Sequence, residues 1–170
     1  GVPTVETCKG DNMLACGFPL IVKPRVGWGG MGLRLIKTRE EADLERDLVR
    51  AEGIGQPCIA HESTWTIAAT RDGEIATLEK RSGNEDFRTN EACGGTVRLG
   101  SPPKGAVDLA LLTLESLGMA TGTVDVMEVM GNPQVLEINS APRIRYQAVP
   151  DLDLAGPMVA AVKRWMEGKS

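Results

Sequence analysis

Pairs of short apolar runs joined by turn-forming residues recur three times along this chain. The runs "PLIVK" and "LRLIK" flank a glycine-rich stretch, "TWTIAAT" and "EIATLEKR" flank the turn "RDG", and "TGTVDVMEVM" and "PQVLEIN" meet at "GNP". Each pair predicts an antiparallel hairpin, because Gly, Asn and Asp adopt the backbone angles that tight turns need. A further short strand is predicted at "CIAHE". A chain built from hairpins favours antiparallel sheets over a parallel, doubly wound sheet.

Segments with helical periodicity separate the hairpins. "TREEADLERDLVRAEG" predicts a helix that has Thr38 as its N-cap, Glu41 three residues on, and Gly53 at its end. A second helix is predicted to begin after Ser101, and a third near Pro157. The apolar face of the second helix is predicted to consist of Val107, Ala110, Leu111, Leu114 and Leu117. Hairpins that alternate with helices predict an α+β fold.

The composition argues against several classes of partner. The 23 acidic residues outnumber the 19 basic ones, which disfavours a general nucleic-acid surface. No apolar run reaches the length of a membrane helix, so no membrane partner is predicted. The cysteines form no C-x-x-C pair and His61 is the single histidine, so zinc-ligand spacing is missing. The sequence therefore predicts reduced cysteines and a cytoplasmic location. The cysteines are Cys8, Cys16, Cys58 and Cys93.

The stretch "KPRVGWGGMG" places Lys23 at the end of a predicted strand and four glycines within the six residues 27–32. One interpretation is a loose hairpin turn, since glycine readily adopts positive φ. The other is a loop whose backbone N–H groups close over phosphates, with Lys23 as the countercharge. The stretch by itself does not separate the two interpretations. The glycines are Gly27, Gly29, Gly30 and Gly32.

The last hairpin carries a candidate metal site. Asp125 lies in "TVDVM", and Glu137 and Asn139 lie in "VLEIN", where strand alternation puts the latter two on the same face. A neighbouring antiparallel strand would place Asp125 opposite them, and such oxygen ligands suit Mg²⁺, with Mn²⁺ as an alternative. The competing interpretation is the solvated face of an edge hairpin. The metal site is favoured because both carboxylates interrupt apolar runs, where an uncompensated charge is costly.

Cationic residues complement this acidic hairpin. Lys80 and Arg81 close a predicted strand, and Arg88 and Asn90 follow in the polar stretch "SGNEDFRTNEACGG". Its length and lack of periodicity predict a functional loop. Arginine presents a planar set of donors that fits carboxylate or phosphate oxygens. Each residue taken singly is an ordinary surface charge, and only their combination with the glycine stretch and the acidic hairpin favours a site.

Four stretches in this order resemble the ATP-grasp superfamily: "GFPLIVKPRVGWGGMGLRLI", "RSGNEDFRTNEACGG", "GTVDVM" and "VLEINSAPR". The resemblance is strongest to the peptide-forming branch that includes the ribosomal protein S6 glutamate ligase and the amino-group-carrier ligases of lysine biosynthesis. It implies an ATP-grasp fold in which ATP lies between two α+β subdomains, expected at residues 1–62 and 63–170. It further implies an ATP-dependent ligase that forms C–N bonds.

In the reaction implied by this resemblance, the γ-phosphate of ATP passes to a substrate carboxylate. An amine then attacks the acyl phosphate, giving an amide, ADP and phosphate. The partners are therefore expected to be ATP, a small-molecule or peptide carboxylate and an amino acid, with glutamate addition as one option.

The resemblance also implies roles for individual residues. Lys23 resembles the lysine that contacts the ATP phosphates, and residues 27–32 resemble the loop that covers them. His61 and Glu62 fall where the hinge frames the adenine, although a structural role is favoured for the His61 side chain. The expected metal ligands are Asp125, Glu137 and Asn139. The residues expected near the γ-phosphate or the incoming carboxylate are Arg81, Arg88 and Asn90.

The chain departs from the family pattern at two places. It begins at "GVPTVET", past an N-terminal domain and an earlier nucleotide-contacting lysine, and Thr64 to Thr66 stand where the family has a longer stretch with a basic residue. Weak ATP binding by this chain alone is therefore expected, with the missing domain or a homo-oligomer as the complement. Two alternatives stay open: a non-catalytic nucleotide-binding module, and an enzyme of the carbamoyl-phosphate synthetase or biotin carboxylase type. The "FRTN" loop argues against the second.

Overall fold

The computed structural model describes residues 1–24, 31–44, 53–83, 88–89, 91 and 94–168. The chain divides into two compact units, one formed by Thr4–Ala60 and the other by Gly1–Pro3 with His61–Ser170. Each unit contains one antiparallel sheet, which confirms the predicted α+β class. Within the described ranges, none of the helices combines the length and the apolar character needed to cross a membrane.

The first unit is built on a four-stranded sheet with the order β1-β4-β2-β3. The predicted hairpin around the glycine stretch is confirmed, because β2 and β3 pair antiparallel with Val22 opposite Arg34. A 3-10 helix, Gly10–Cys16, joins β1 to β2, and helix α1, Arg39–Leu44, follows β3. The strands are β1 Cys8–Lys9, β2 Leu20–Pro24, β3 Arg34–Ile36 and β4 Gly53–Pro57.

Helix α1 begins as the sequence predicts. The N–H of Glu41 donates to Thr38 Oγ1 at 3.3 Å, and Glu41 Oε2 accepts the N–H of Lys37 at 2.7 Å. The first bond satisfies a backbone donor of the first helical turn, and the second satisfies the N–H of the residue that precedes the N-cap. Residues 45–52, over which the helix was predicted to continue, lie outside the described ranges.

The strand predicted at "CIAHE" is wrong, because β4 precedes it and begins at Gly53, the residue predicted to end a helix. The glycines of "GIGQP" hid this strand, since glycine has low strand propensity. A Cβ on Gly55 would lie 2.3 Å from Met13 Cγ, so the strand requires glycine there for close packing. Packing against the 3-10 helix thus outweighs intrinsic propensity.

The prediction that all four cysteines are reduced is wrong for two of them. Cys8 and Cys16 form a disulfide, with their Cα atoms 6.5 Å apart. The 3-10 helix turns the chain back and brings together two residues whose spacing contains no C-x-x-C signal. Cys58 is a free thiol, and burial raises its pKa.

The second unit is built on a five-stranded sheet with the order β7-β6-β5-β8-β9. Both predicted hairpins, β5–β6 and β8–β9, are confirmed. The edge strand β7, which pairs with β6, was not predicted. The strands are β5 Ser63–Thr70, β6 Gly73–Arg81, β7 Thr96–Leu99, β8 Thr121–Val129 and β9 Asn132–Asn139.

Helix α2, Ala106–Ser116, packs on one face of this sheet. It begins later than predicted because Gly105 has φ +82°, and the Ala106 N–H donates to the Pro103 carbonyl. Its buried side is also rotated from the predicted one: Leu109 is buried, whereas Leu117 is 58% exposed. The residues that share this core with α2 include Ile67, Ala69, Val124, Val126 and Val135.

The opposite face of the sheet has an apolar end and a polar end. Helix α3, Ala155–Glu167, covers the apolar end together with Tyr146 and Leu154. The strand residues buried there are Ala68, Ala76, Leu78 and Val97. Alternate residues of a strand share a face. Lys80, two residues after Leu78, and Thr66, two residues before Ala68, therefore extend this face into the polar end. We call this polar end the ligand face; it contains Thr64, Thr66, Lys80 and Asp125.

A β-bulge in β9 controls which side chains reach the ligand face. Asp125 pairs with Glu137, but the next residue, Val126, pairs with Val135, so Leu136 is the extra residue. In a regular strand, residues 135 and 137 would point to the same face. The bulge instead lets Val135 enter the α2 core while Glu137 lies opposite Asp125 on the ligand face.

Candidate functional site

A buried ion pair occupies the centre of the ligand face. Lys80 Nζ lies 3.1 Å from Asp125 Oδ2, and their side chains are only 12% and 10% exposed. Thr66 Oγ1 donates to Asp125 Oδ1 at 2.5 Å, so both carboxylate oxygens have a donor. Burial is the largest single effect on the pKa of Lys80 and lowers it, but Asp125, Tyr146 and Glu137 together outweigh burial, so the pKa is raised. The pair is therefore held in place by contacts to both carboxylate oxygens.

The proposed metal ligands Asp125, Glu137 and Asn139 lie close together. The register of β8 and β9 puts Asp125 opposite Glu137 and Thr123 opposite Asn139. Asn139 Nδ2 donates to Glu137 Oε1 at 3.4 Å, and the charge of Glu137 also acts on Lys80. Asp125 is buried and Glu137 is exposed, so the group extends from the sheet to its surface.

The chemistry of these three residues fits a hard divalent cation. Two carboxylates and an amide supply the oxygen ligands that Mg²⁺ prefers. The hydrogen bond from Asn139 to Glu137 leaves the amide oxygen available. Asp125 is fixed by Thr66, which is the kind of outer contact that orients a ligand carboxylate. Lys80 supplies the countercharge that this buried carboxylate needs in any case.

Thr89, in the "FRTN" stretch, is bound beside this group. Thr64 Oγ1 and Thr89 Oγ1 lie 2.8 Å apart, and Thr64 is the cross-strand neighbour of Lys80. A Cβ on Gly95 would lie 2.3 Å from the Thr89 carbonyl oxygen, so only glycine allows this approach. Arg88, which precedes Thr89, is partly buried. The structure thus brings one end of the predicted cationic loop to the ligand face.

A second contact to this segment comes from the chain that follows β9. Arg143 Nη1 donates to Glu91 Oε2 at 2.5 Å. The Arg143 guanidinium lies over the ring of Tyr146, 5.6 Å from its centroid. Burial raises the pKa of Tyr146, and the charges of Lys80, Asp125, Arg143 and Glu91 all act on its hydroxyl. Tyr146 therefore lies among both ion pairs.

Arg81 is not brought to the ligand face. It directly follows Lys80 in β6, and its Nε donates to Glu79 Oε1 at 2.7 Å on the opposite face of the sheet. Glu79 is buried, and it also accepts hydrogen bonds from Ser63 at 2.7 Å and Arg98 at 2.6 Å. The hydroxyl of Ser63, followed by Arg81 and Arg98, lowers the pKa of Glu79 to about 2. This is a second charge cluster, separate from the Lys80–Asp125 pair.

The residues proposed to bind the nucleotide are divided between the units. Lys23 lies in β2 of the first unit, on the face of its sheet opposite to the buried Leu20 and Val22. Gly32 has φ +78°, and a Cβ there would lie 3.3 Å from Pro24 Cγ, so this end of the glycine stretch requires glycine. Gly27, Gly29, Gly30 and also Asn90 lie outside the described residues.

His61 and Glu62 open the second unit, directly before β5. His61 is partly buried and Glu62 is exposed. The Thr64 to Thr66 stretch, noted for being short, is the start of β5 and supplies two hydroxyls to the ligand face. The short connection therefore contributes directly to the site.

Sequence reasoning missed three residues of this site. Lys80 was noted as a strand-end cation, but strand parity with Leu78 would have placed it on the ligand face and Arg81 on the other. Thr66 shares the same parity. Tyr146 lies in a stretch without secondary structure, where no sequence periodicity indicates its neighbours.

Comparisons with known proteins identify the family of this chain. Residues 5–162 match the RimK-like ATP-grasp domain. A "Probable alpha-L-glutamate ligase" of Enterobacter sp. (strain 638) is 28% identical over 154 residues, which cover 87% of this chain and 51% of that protein. The "Ribosomal protein bS6--L-glutamate ligase" of Salmonella paratyphi B is 29% identical over 154 residues, with the same coverage. The chain thus spans about half the length of these curated relatives.

Solved structures show the same fold. The D-alanine--D-alanine ligase of Bacillus anthracis, complexed with ATP, has a TM-score of 0.72 at 17% identity. The match covers 99% of this chain and 63% of the ligase chain. The ATP-grasp ligase PsnB, complexed with a variant precursor, Mg and ADP, has a TM-score of 0.73 at 20% identity, covering 97% and 54%. The predicted ATP-grasp fold is confirmed. With the domain match spanning nearly the whole sequence, this chain belongs to the RimK-like ATP-grasp family.

Proposed function

We propose that this chain forms the ATP-grasp part of an ATP-dependent carboxylate–amine ligase. The observation that carries the proposal is the opposition of Asp125 and Glu137 across β8 and β9, with Lys80 bound to Asp125. A cation and several hard oxygen ligands at one place suit the transfer of a phosphoryl group, which depends mainly on positioning and charge stabilisation. Family membership supports the same chemistry.

In the proposed reaction, a carboxylate oxygen of the substrate attacks the γ-phosphorus of ATP. The bond between that phosphorus and the bridging oxygen breaks, which yields ADP and an acyl phosphate. An amine nitrogen then attacks the carbonyl carbon and loses a proton, and phosphate departs with its C–O bond electrons. Lys80, which is bound to Asp125, is proposed to offset the negative charge of the transferring group.

The residues proposed to hold a divalent cation are Asp125, Glu137 and Asn139. When bound, Mg²⁺, or Mn²⁺ in its place, would neutralise phosphate charge. Thr66 orients Asp125 for this task, and Arg88 and Asn90 are proposed to face the γ-phosphate or the incoming carboxylate. Arg81 keeps its proposed role only if it leaves Glu79, to which it is bound.

The first unit is proposed to supply the remaining phosphate contacts. Lys23 is proposed as the countercharge, and residues 27–32 as the loop that covers the phosphates. His61 and Glu62 are proposed to frame the adenine, chiefly through their backbone. In this assignment the subdomain boundary falls near residue 62. The proposed cytoplasmic location has the Cys8–Cys16 disulfide against it, because disulfides are rare in that compartment.

The amine is proposed to be glutamate, added to a peptide or small-molecule carboxylate. Support comes from the relatives named glutamate ligases and from PsnB, whose complexes contain a precursor peptide. D-alanine--D-alanine ligase shares the fold and is named for another amino acid, so the amine is the least constrained part of the proposal.

The test has two stages. Isothermal titration with ATP, with and without Mg²⁺, should show binding that requires the cation. ADP release should then depend on both an amine and a carboxylate, with glutamate offered beside alanine and lysine as amines. Mg²⁺-dependent binding without amine-dependent ADP release would instead support the non-catalytic nucleotide-binding module.

A further inference from the structure

Beyond the residues that would touch ATP or the cation, the second unit contains an ion pair that bridges two distant segments. Arg143 follows the metal-ligand strand β9, and Glu91 lies in the segment between β6 and β7. Their side chains are 54% and 22% exposed, so the carboxylate is the more enclosed partner. Loss of the guanidinium would leave a largely enclosed carboxylate without its countercharge, which is unfavourable.

The position of Arg143 is itself fixed. Its guanidinium lies over Tyr146, an arrangement in which a cation is attracted to the face of an aromatic ring. Tyr146 is buried in the α3 core, and its carbonyl accepts the N–H of Val149. Arg143 therefore extends from an anchored base, and it can hold Glu91 at a defined place.

The segment that Glu91 belongs to is held at two further points. Thr89 is bound to Thr64, beside Lys80. The N–H of Gly94 donates to the Glu91 carbonyl at 3.1 Å, and Gly95 packs against the Thr89 carbonyl. Of these contacts, the Arg143–Glu91 pair is the one that joins the segment to the chain leaving the proposed metal ligands.

We propose that Arg143 is a positioning residue, which holds the segment of Arg88 and Thr89 against the ligand face through its ion pair with Glu91. This proposal rests on the proposed function only because it assigns the segment of Arg88 and Thr89 to the reaction. Arg143 need not contact the nucleotide or the substrate for this role. Its effect is to keep the cationic segment beside the Lys80–Asp125 pair.

Hydrogen–deuterium exchange of peptides that cover residues 88–95 tests the proposal without relying on activity. Arg143→Met, which keeps the length of the side chain but removes its charge, should speed exchange there by about two- to fivefold, the upper part of the range for a partly exposed ion pair. Glu91→Gln should do the same, and it decides the question if Arg143→Met does not fold. The charge-reversed double variant, Glu91→Arg with Arg143→Glu, should restore slow hydrogen–deuterium exchange.

A matched control is Arg164→Met. Arg164 is a similarly exposed arginine in the same unit and is paired with Asp72 at 2.5 Å, so its replacement should leave exchange of residues 88–95 unchanged. Unchanged exchange in both Arg143→Met and Glu91→Gln would overturn the proposal. So would an equal acceleration by Arg164→Met, since the effect would then be a general loosening of the unit.

Activity provides the second measurement. Arg143→Met should lower kcat/KM for the carboxylate by about tenfold while the Kd for Mg-ATP changes less than about twofold, because Thr66 and Lys80 still hold Asp125. A loss of activity without faster exchange would overturn the positioning role, since it would indicate direct substrate contact. If the unmodified chain fails to bind Mg-ATP, the proposed function fails, whereas the exchange experiment still decides this inference.

Discussion

Asp125 lies directly opposite Glu137 in the pairing of β8 with β9. Asp125 is buried and bound by Lys80 and Thr66, whereas Glu137 is exposed. One carboxylate is thus part of the folded core of its unit, and the other is available at the surface. Substitution of either residue should therefore have different consequences for folding and for ligand binding.

Replacing Glu137 by alanine should weaken Mg²⁺-dependent ATP binding and leave stability nearly unchanged, because Glu137 is exposed and its recorded side-chain hydrogen bond is the long one from Asn139. The expected loss is about tenfold or more, since even groups that only support metal ligands have effects of this size. Calorimetric titration with and without Mg²⁺ measures it. Glu128→Ala, at an exposed carboxylate of the same hairpin, is the control and should have no effect. Equal affinity in the Glu137 variant and the parent chain would contradict the metal assignment.

Replacing Lys80 by methionine should destabilise the chain by about 3 kcal/mol, because it leaves Asp125 buried without its countercharge. Urea denaturation followed by tryptophan fluorescence measures the loss. The double variant Lys80→Met with Asp125→Asn should recover much of the stability, since neither charge remains. If the double variant were as unstable as the sum of the two single variants, Lys80 and Asp125 would be independent in the folded state.

Replacing Gly95 by alanine should displace the "FRTN" segment. The added Cβ would lie 2.3 Å from the Thr89 carbonyl oxygen and 2.9 Å from that of Arg81, both of which are backbone atoms with little freedom to move. The expected cost is about 1–3 kcal/mol, as for other overpacked sites. Thermal melting measures the cost. Gly168→Ala, where the nearest atom lies 3.4 Å away, should leave the melting temperature nearly unchanged. A Gly95 variant as stable as the parent chain would show that the segment can shift freely.

The stability that Glu79 contributes should depend on pH. Its pKa is lowered from 4.5 to about 2 by Ser63, then Arg81 and Arg98, so its contribution is present above the unfolded-state pKa and is lost as the pH falls through about 2. The melting temperatures of the parent chain and Glu79→Gln should therefore differ most at neutral pH and converge between about pH 4.5 and pH 2. Glu115→Gln, at an exposed carboxylate of α2, should melt in parallel with the parent. A constant difference between the Glu79 variant and the parent would contradict this account.

Local patterns predicted the three hairpins and the cap of α1, because turn residues and a capping box act through near neighbours in the sequence. They failed at β4, where glycines in a strand are required by packing against Met13. They also failed for the disulfide, since Cys8 and Cys16 approach only after the 3-10 helix forms. Contacts of this kind depend on tertiary structure, and sequence periodicity does not encode them.

The candidate site shows the same division. Asp125, Glu137 and Asn139 were found from carboxylates inside apolar runs, and the register places them together. Arg81, and not Lys80, was predicted to belong to the site because the resemblance matched a cationic residue near the end of a strand. A shift of one position along a strand moves a side chain to the other face of the sheet. The contact between Arg143 and Glu91 joins residues 52 positions apart, and nothing in the local sequence around either one indicates the other.

The extra residue in β9 also affects how related chains should be compared. Leu136 divides β9 into a stretch that ends at Val135, whose side chain enters the α2 core, and a stretch that carries Glu137 and Asn139. Side chains alternate between the two faces separately within each stretch. Insertions or deletions of two residues at the Met130–Gly131 tip would therefore lengthen or shorten the hairpin without turning Glu137 away from Asp125. The cation ligands are insulated from length variation at the tip, and homologous hairpins are best aligned on the bulge.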